Sequence, residues 1–401
     1  MRKRIFGVVL VFVQLSMDYL ISLIIFLLFI FLINEIQVQF IVWSLRSFIN
    51  EITLYEKLSK RMFMRLILMH RQDILPEVAT NVDVIAKNLK KSDDFARILR
   101  WIDEIINSFV IAPVTLDPTG VLQRLEHILD VRRSRLRNVA RHIIPDAPEY
   151  VQRNLESALE AAAAIRYLWK ITSHIYEIGY RTKNIYYLLQ LKLLVPFLRE
   201  LCLSYFDALK GFIEGVPIGD SVGALVALNF FGTEVDTDEE LQVVFSSSEI
   251  YGRYVLAVKA RGPGSEVGYP GRFLEKLLEK IGGDVNAIIT VDAALRLESE
   301  RSGRVDVGYG AAIGDPGPEK YRIESWSSKY KIPLFAIVIK ENYVEALTPL
   351  NETLLQAVNK ACDIVKKIII EEVPEGGKVV ILGIGNTVGV GNILIPSESA
   401  E

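Results

Sequence analysis

Two aspartates stand where a carboxylate can do chemistry. Asp220 lies in Pro217-Ile218-Gly219-Asp220-Ser221-Val222-Gly223, and Asp292 closes the apolar run Ile288-Ile289-Thr290-Val291. An acid at the end of such a strand sits at the edge where open α/β sheets bind ligands. Two carboxyls a few ångströms apart resist ionising together and share a proton. One then activates a water while the other protonates a leaving group. Such a pair could equally hold a metal through oxygen, and a loop aspartate can simply cap backbone N–H groups. All three roles are open at this stage, with Asp220 and Asp292 as the catalytic candidates.

Other chemistries find less support. The four histidines are His70, His127, His142 and His174, so nothing after residue 174 can complete a Ser-His-Asp triad. His127 and His142 show no HExxH spacing. Cys202 and Cys362 form no CxxC motif and no disulfide framework. There is no GxxxxGK[ST] loop. The stretch Gly383-Ile384-Gly385-Asn386-Thr387 continues as G-x-G-x-x-x-G and is followed by too little chain for a βαβ unit. No motif names a cofactor or a metal-ligand set. Arg132, Arg133, Arg135 and Arg137 read as a solvated helix face. The net charge of −3 argues against nucleic acid as a partner. Glycine-rich loops supply the binding candidates: Gly262, Gly264 and Glu266 in the loop 261–268, and Gly385 and Asn386 after an apolar strand. Glu266 is also an alternative second acid.

The elements that position these residues follow from glycine usage. Of 26 glycines, only Gly7, Gly120 and Gly179 precede residue 211. Glycine is costly inside helices and useful in turns, so the first half reads as helical and the second as α/β. Strands are expected over 241–245, 254–260, 287–291, 304–308, 334–339 and 379–382, with helices over 272–281 and 349–371. That alternation predicts a mixed, mostly parallel sheet. In the helical part, breaks are expected at 72–80 and 112–119. A turn over 116–118 leads to Thr119 as the N-cap of the next helix, which ends at Pro145 and Pro148. Helices then follow over 150–178 and 184–212.

Residues 5–33 carry one charge, Asp18, and 19–33 carry none. With its flanks, this run is long enough to cross a membrane once, and no small-residue cleavage site follows it. Arg46, Lys57, Lys60, Arg61 and Arg65 follow the span against Arg2, Lys3 and Arg4 before it. Counting favours a cytoplasmic C-terminal bulk. Met17 is an alternative start that would remove the first cluster. The chain thus divides into a transmembrane anchor (1–40), a helical stalk or scaffold (41–213) and an α/β domain (214–401). Long apolar faces such as LLQLKLLVPFLRELCL also admit a homo-oligomer.

Over nearly its full length the chain resembles an archaeal membrane-anchored family, the domain of unknown function numbered 1512. The matching landmarks are FVIAPVTLDPTGVLQRLEHILD, PIGDSVGALVA, VKARGPGSEVGYPG, IITVDAALRLES and ILGIGNTVGVGN. That resemblance implies no activity. A more distant likeness covers 215–392. VLAVKARGPGSEVGYPG, RFLEKLLEKI, IITVDAALRLESERSG, VGYGAAIGDPGPEK and PLFAIVIK are similar in order to the spore germination protease. Its superfamily also includes the hydrogenase maturation endopeptidases. In that superfamily an LGIGN-like strand is followed closely by Asp and GPLVA-like residues. Here GIGNT lies at 383–387 and GDSVGALVA at 219–227, which implies a circular permutation bringing Gly385-Asn386 beside Asp220. The resemblance implies a phosphorylase/hydrolase-like α/β fold and an acidic pair at Asp220 and Asp292. It also implies hydrolysis of a bound peptide, or a degenerate, non-catalytic fold that binds a small ligand or serves as a membrane scaffold. The histidine of the nickel-sensing maturation enzymes has no counterpart here.

Overall fold

The computed structural model describes residues 2–71, 93–114, 120–314 and 317–393. The expected break at 72–80, the turn at 116–118 and the Thr119 cap lie outside these residues, as do Asp315 and Pro316. Gly120 takes the N-cap position of the helix that follows and lends it no side-chain cap. The chain resolves into two compact units, Met1–Leu54 with Leu168–Arg199, and Tyr55–Tyr167 with Glu200–Glu401.

The first unit is built on α1 (Arg2–His70), a single helix that carries the apolar run without interruption. Part of it is long and apolar enough to cross a membrane. From Ile41 onward one face of α1 is buried (Ile41, Leu45, Phe48, Ile52), at the spacing of an amphipathic helix. The hairpin of α4 (Glu149–Arg181) and α5 (Ile185–Glu214) supplies the partners in this unit. Trp169 Nε1 donates to Thr53 Oγ1 at 3.0 Å, Arg46 Nε to Tyr176 OH at 2.6 Å, and Arg199 Nε to Glu51 Oε2 at 2.9 Å.

The second unit joins helices to a sheet. Its helical core packs the end of α1, α2 (Asp93–Asn107), α3 (Val121–Ile143) and the adjoining parts of α4 and α5. Phe63, Ile102, Ile143, Leu159 and Leu209 lie at its centre. These helices share one unit, and one apolar cluster, with Ile218 and Val388 of the C-terminal region.

The sheet has seven strands: β1 (Asp236–Asp238), β2 (Val243–Ile250), β3 (Arg253–Ala260), β4 (Ala287–Leu295), β5 (Val305–Tyr309), β6 (Leu334–Glu341) and β7 (Lys378–Gly383). Their order is β1-β2-β3-β7-β4-β6-β5. The four central strands β3, β7, β4 and β6 run parallel, and antiparallel strands close both edges. Central parallel strands are covered on both faces and read as continuous apolar runs, as in AIITV of β4. On one face α7 (Pro270–Ile281) and α8 (Pro318–Tyr330) cover Val258, Ile288 and Leu382. On the other, α6 (Val222–Leu228) and α10 (Glu352–Glu372) cover Ile289, Ile337 and Ile381. A short helix, α9 (Tyr343–Leu347), follows β6. The C-terminal part is thus an α/β domain with a mixed, mostly parallel sheet, preceded by a helical region and an apolar N-terminal helix.

Candidate active site

The parallel strands end at one edge, and the acids collect there. Asp292 is the sixth residue of β4. Its predecessor Val291 pairs with Gly383, the last residue of β7, so Asp292 reaches beyond the neighbouring strand. The chain then turns at Ile384, whose N–H donates to Val291 O at 2.8 Å. Gly385 follows with φ +121°, and an added Cβ there would strike the carbonyl oxygen of Asp220. Asp220 sits in a one-turn 3₁₀ helix, Gly219–Ser221, that leads into α6. The Asn386 N–H donates to Asp220 Oδ2 at 2.8 Å. Asp220, Asp292, Ile313, Ile384 and Gly385 line one cavity of about 280 Å³.

α3 forms the opposite wall of this cavity with Glu126, Leu129, Asp130 and Arg133. Arg272 of α7 donates to Glu126 at 2.8 Å and to Asp130 at 2.7 Å, which ties α3 to the sheet domain. The guanidinium groups of Arg133 and Arg272 lie 4.5 and 4.2 Å from the centre of the Tyr269 ring, a cation–π arrangement. The arginines of α3 are therefore not a solvated face. Arg137 is largely buried, Arg132 pairs with Glu160 at 2.9 Å, and Arg133 lines the cavity; Arg135, paired with Glu104, is the most exposed of the four. Sequence spacing could not show this, because the partners come from other elements: Glu104 and Glu160 from neighbouring helices, and Tyr269, against Arg133, from more than 100 residues away.

Burial sets the protonation of the acids. Asp292 is 5% exposed, and burial lifts it well above the usual carboxylate range. The Asp220 charge adds to the lift, while the N–H groups of Ala293 and Gly314 oppose it. Asp220 is pushed up to about 6 by burial, against the Asn386 N–H. A third acid, Glu341 at the end of β6, was not among the candidates. It is 1% exposed and is pushed up to about 9 by burial, then by Asp220, Glu345 and Asp292. Its Oε2 has no hydrogen-bond partner. The signal in the sequence was the acid two residues after the apolar run Leu334–Ile339, at which the strand ends on this same edge.

The loop candidates fare differently. Only Gly385 lines the cavity with the two aspartates. Gly262 is held by the chain itself: its N–H donates to Asn392 Oδ1 and its carbonyl accepts from Asn392 Nδ2, both at 2.8 Å. Gly264 lets the loop approach α4, since an added Cβ would lie 3.0 Å from Tyr150 Cα. Glu266 does not stand beside the aspartates as a second acid. Its Oε1 accepts from the N–H groups of Val267 and Gly268, and its Oε2 lies 3.4 Å from Arg153 and 3.8 Å from Arg137. The Asn386 side chain bonds Ser265 Oγ and the Val388 N–H, so it meets Asp220 through its backbone alone. Glu266 and Asn386 face a neighbouring hollow of about 200 Å³, which also lies against α3. Among the described residues, no three His, Cys, Asp or Glu side chains are arranged to hold a metal ion.

Fold and site together define an α/β domain with two aspartates lining one cavity at the carboxyl edge of its sheet, in a chain whose N-terminal helix is long and apolar enough to cross a membrane. The chain belongs to the DUF1512 family. Residues 19–215 match its N-terminal domain and 218–391 its C-terminal domain, both described as of unknown function. No curated protein and no solved structure matches the chain.

Proposed function

We propose that this protein is a membrane-anchored, aspartate-dependent hydrolase of peptidase type, with Asp220 and Asp292 as its catalytic pair. The observation that carries the reading is that the two carboxyls, 72 positions apart in the chain, line one cavity at the carboxyl edge of the parallel strands. Their environments differ in the way a shared-proton pair requires. Asp220 ionises first and takes a proton from water. The resulting hydroxide adds to the scissile carbonyl carbon, while Asp292 donates its proton to the carbonyl oxygen. When the C–N bond breaks, the leaving nitrogen takes up the proton held by Asp220 and one hydroxyl of the tetrahedral carbon returns its proton to Asp292, giving a free carboxyl and a free amine and restoring both aspartates. Tyr269 and the wall of α3 bound the space for the substrate chain. Basic residues after the span favour a single pass with the C-terminal bulk in the cytoplasm.

The test compares the full chain with Asp292→Asn on a peptide library. Loss of turnover in the variant, with an unchanged melting profile, is the expected result. Equal turnover would reject the role. Binding of a small ligand in the same cavity without any turnover would favour the scaffold or ligand-binding reading.

A further inference from the structure

One charge on the wall of the aspartate cavity is not used by the chemistry above. Of the four clustered arginines of α3, Arg132, Arg135 and Arg137 each have a carboxylate within 4 Å, at 2.9, 3.2 and 3.8 Å. Among the described residues Arg133 has none. Its guanidinium lies instead over the Tyr269 ring, and its Nη1 is buried without a hydrogen-bond partner. An aromatic face attracts a cation, but it leaves the charge uncancelled and the N–H groups in the guanidinium plane without acceptors.

The acids around Arg133 are already engaged elsewhere. Asp130 accepts from Tyr269 OH at 3.1 Å and from Arg272 at 2.7 Å. Glu126 accepts from Arg272 at 2.8 Å and from Arg322 at 2.9 Å. Glu160 pairs with Arg132, and Glu266 with Arg153 and Arg137. Glu156 lies 3.6 Å from Arg153 and 3.8 Å from Arg137. Each of these carboxylates has another cation, and Arg133 is left over. Its place gives that charge a use. Arg133 lines the cavity that holds Asp220 and Asp292, and it also lines the neighbouring hollow with Ser157 and Ser265. Leu129, Arg133 and Val267 border both spaces, so the two adjoin along these three side chains. A peptide with one bond at the aspartates has the second hollow as its next space, and Arg133 stands at the passage. The planar fork of a guanidinium matches the two oxygens of a carboxylate.

We infer that Arg133 is the specificity residue of this site and binds a carboxylate of the substrate, either an Asp or Glu side chain or the C-terminus of the chain, in the second hollow while a neighbouring peptide bond lies at Asp220 and Asp292. This deepens the hydrolase reading and rests on it in taking the ligand to be a peptide.

The test uses the full chain in detergent and four versions of one dye-labelled peptide, with Glu or Gln inside the sequence and a free or an amidated C-terminus. KM of the wild type should be about 10- to 100-fold lower for the version whose carboxylate is bound than for the neutral Gln amide, the typical effect of hydrogen bonds to a charged group. A preference that follows Glu assigns the side chain, and one that follows the free end assigns the C-terminus. Arg133→Gln should bring the ratio close to one. Arg133→Lys keeps the charge but not the fork, should retain part of the preference, and carries the test if the glutamine variant does not fold. Equal KM on all four peptides, or a preference undiminished in either variant, would overturn the inference and leave the hydrolase reading standing. If no peptide is turned over, the hydrolase reading falls and binding decides this one: fluorescence anisotropy should show the same preference in Kd, and its loss in Arg133→Gln. Neither turnover nor a carboxylate preference in binding would overturn both.

Discussion

The Asn386 N–H reaches across 166 positions of sequence to donate to Asp220 Oδ2 at 2.8 Å. This one bond joins the loop after the central strand β7 to the turn before α6. It also favours the ionised form of Asp220, as a backbone N–H favours any carboxylate. Asp292 accepts backbone N–H groups too, but the Asp220 charge adds to its burial and holds it protonated. By exposed surface Asp292 is buried and Asp220 half-buried.

That asymmetry has a kinetic consequence. Hydrolysis needs Asp220 ionised and Asp292 protonated. Activity should rise as pH passes through about 6, where Asp220 loses its proton, and fall at higher pH as Asp292 loses its own. Asp292→Asn should lower kcat by about 10²–10⁴-fold, the usual worth of a positioned acid. A pH profile on any cleaved peptide checks both statements. A rising limb that does not move in Asp220→Glu would contradict the assignment of the base.

Glu341 offers a prediction that needs no substrate. Burial raises it from an ordinary 4.5 to about 9, so the folded state holds this proton more tightly than the unfolded chain. Stability is therefore intact below the unfolded value and drains away as pH climbs toward about 9. Glu341→Gln keeps the shape and removes the titration. The variant should match wild type near pH 4 and exceed it by on the order of a few kcal/mol near pH 9. Thermal unfolding across that range reads the difference; a gain independent of pH would mean that ionisation of Glu341 is not its source.

Much of this architecture was legible because it is local. The strands of the sheet announce themselves as short apolar runs, and six of the seven lie where such runs fall. β1 escaped because Asp236-Thr237-Asp238 has no apolar residue. α8 escaped because PEKYRIESWSSKY buries only Ile323 and Ser327. The site was partly legible: Asp220, Asp292 and Gly385 share one cavity. The roles of Glu266, Gly262 and the α3 arginines were not, since each depends on a partner brought in by tertiary packing. Glu266 meets Arg153 and Arg137 from helices that no spacing rule connects to its loop.

The pairing of Glu266 with Arg153 makes it a positioning residue for the loop 261–268. Arg153 is 7% exposed, and Glu266 is one of the acids around it, with Glu149 and Glu156. Leaving a buried charge wholly uncompensated costs about 3 kcal/mol or more, but Glu149 stays 3.2 Å from Arg153. Glu266→Gln should therefore destabilise the second unit by less than that, about 1–2 kcal/mol, in urea unfolding. Glu156 softens the loss. It is pushed up to about 7, chiefly by burial and in part by the Glu266 charge, so it ionises more readily once that charge is gone. Adding Arg153→Leu should cost less than the sum of the single changes; full additivity would show that the two side chains do not act together.

Asp220 is held in place by a close backbone approach at the start of α6. Gly223 opens α6 against the ends of β4 and β7, and a Cβ there would run into the carbonyl oxygens of Val291 and Ile384. Both obstacles are backbone, and both belong to central strands or their immediate exits, so neither can give way as a flexible side chain would. Gly223→Ala must lift the start of α6 off the sheet. Asp220 lies three residues before this point on the same turn, so it would be drawn away from Asn386 and Asp292 together. The expected result is a loss of about 2–3 kcal/mol, as for an overpacked core, with activity falling further than stability accounts for. Gly308→Ala is the control: it lies on the edge strand β5 with nothing within 4 Å of an added Cβ, and should change stability by less than about 0.5 kcal/mol. Equal melting temperatures for the two variants would show that α6 tolerates the added carbon, and that Asp220 is not held by this close approach.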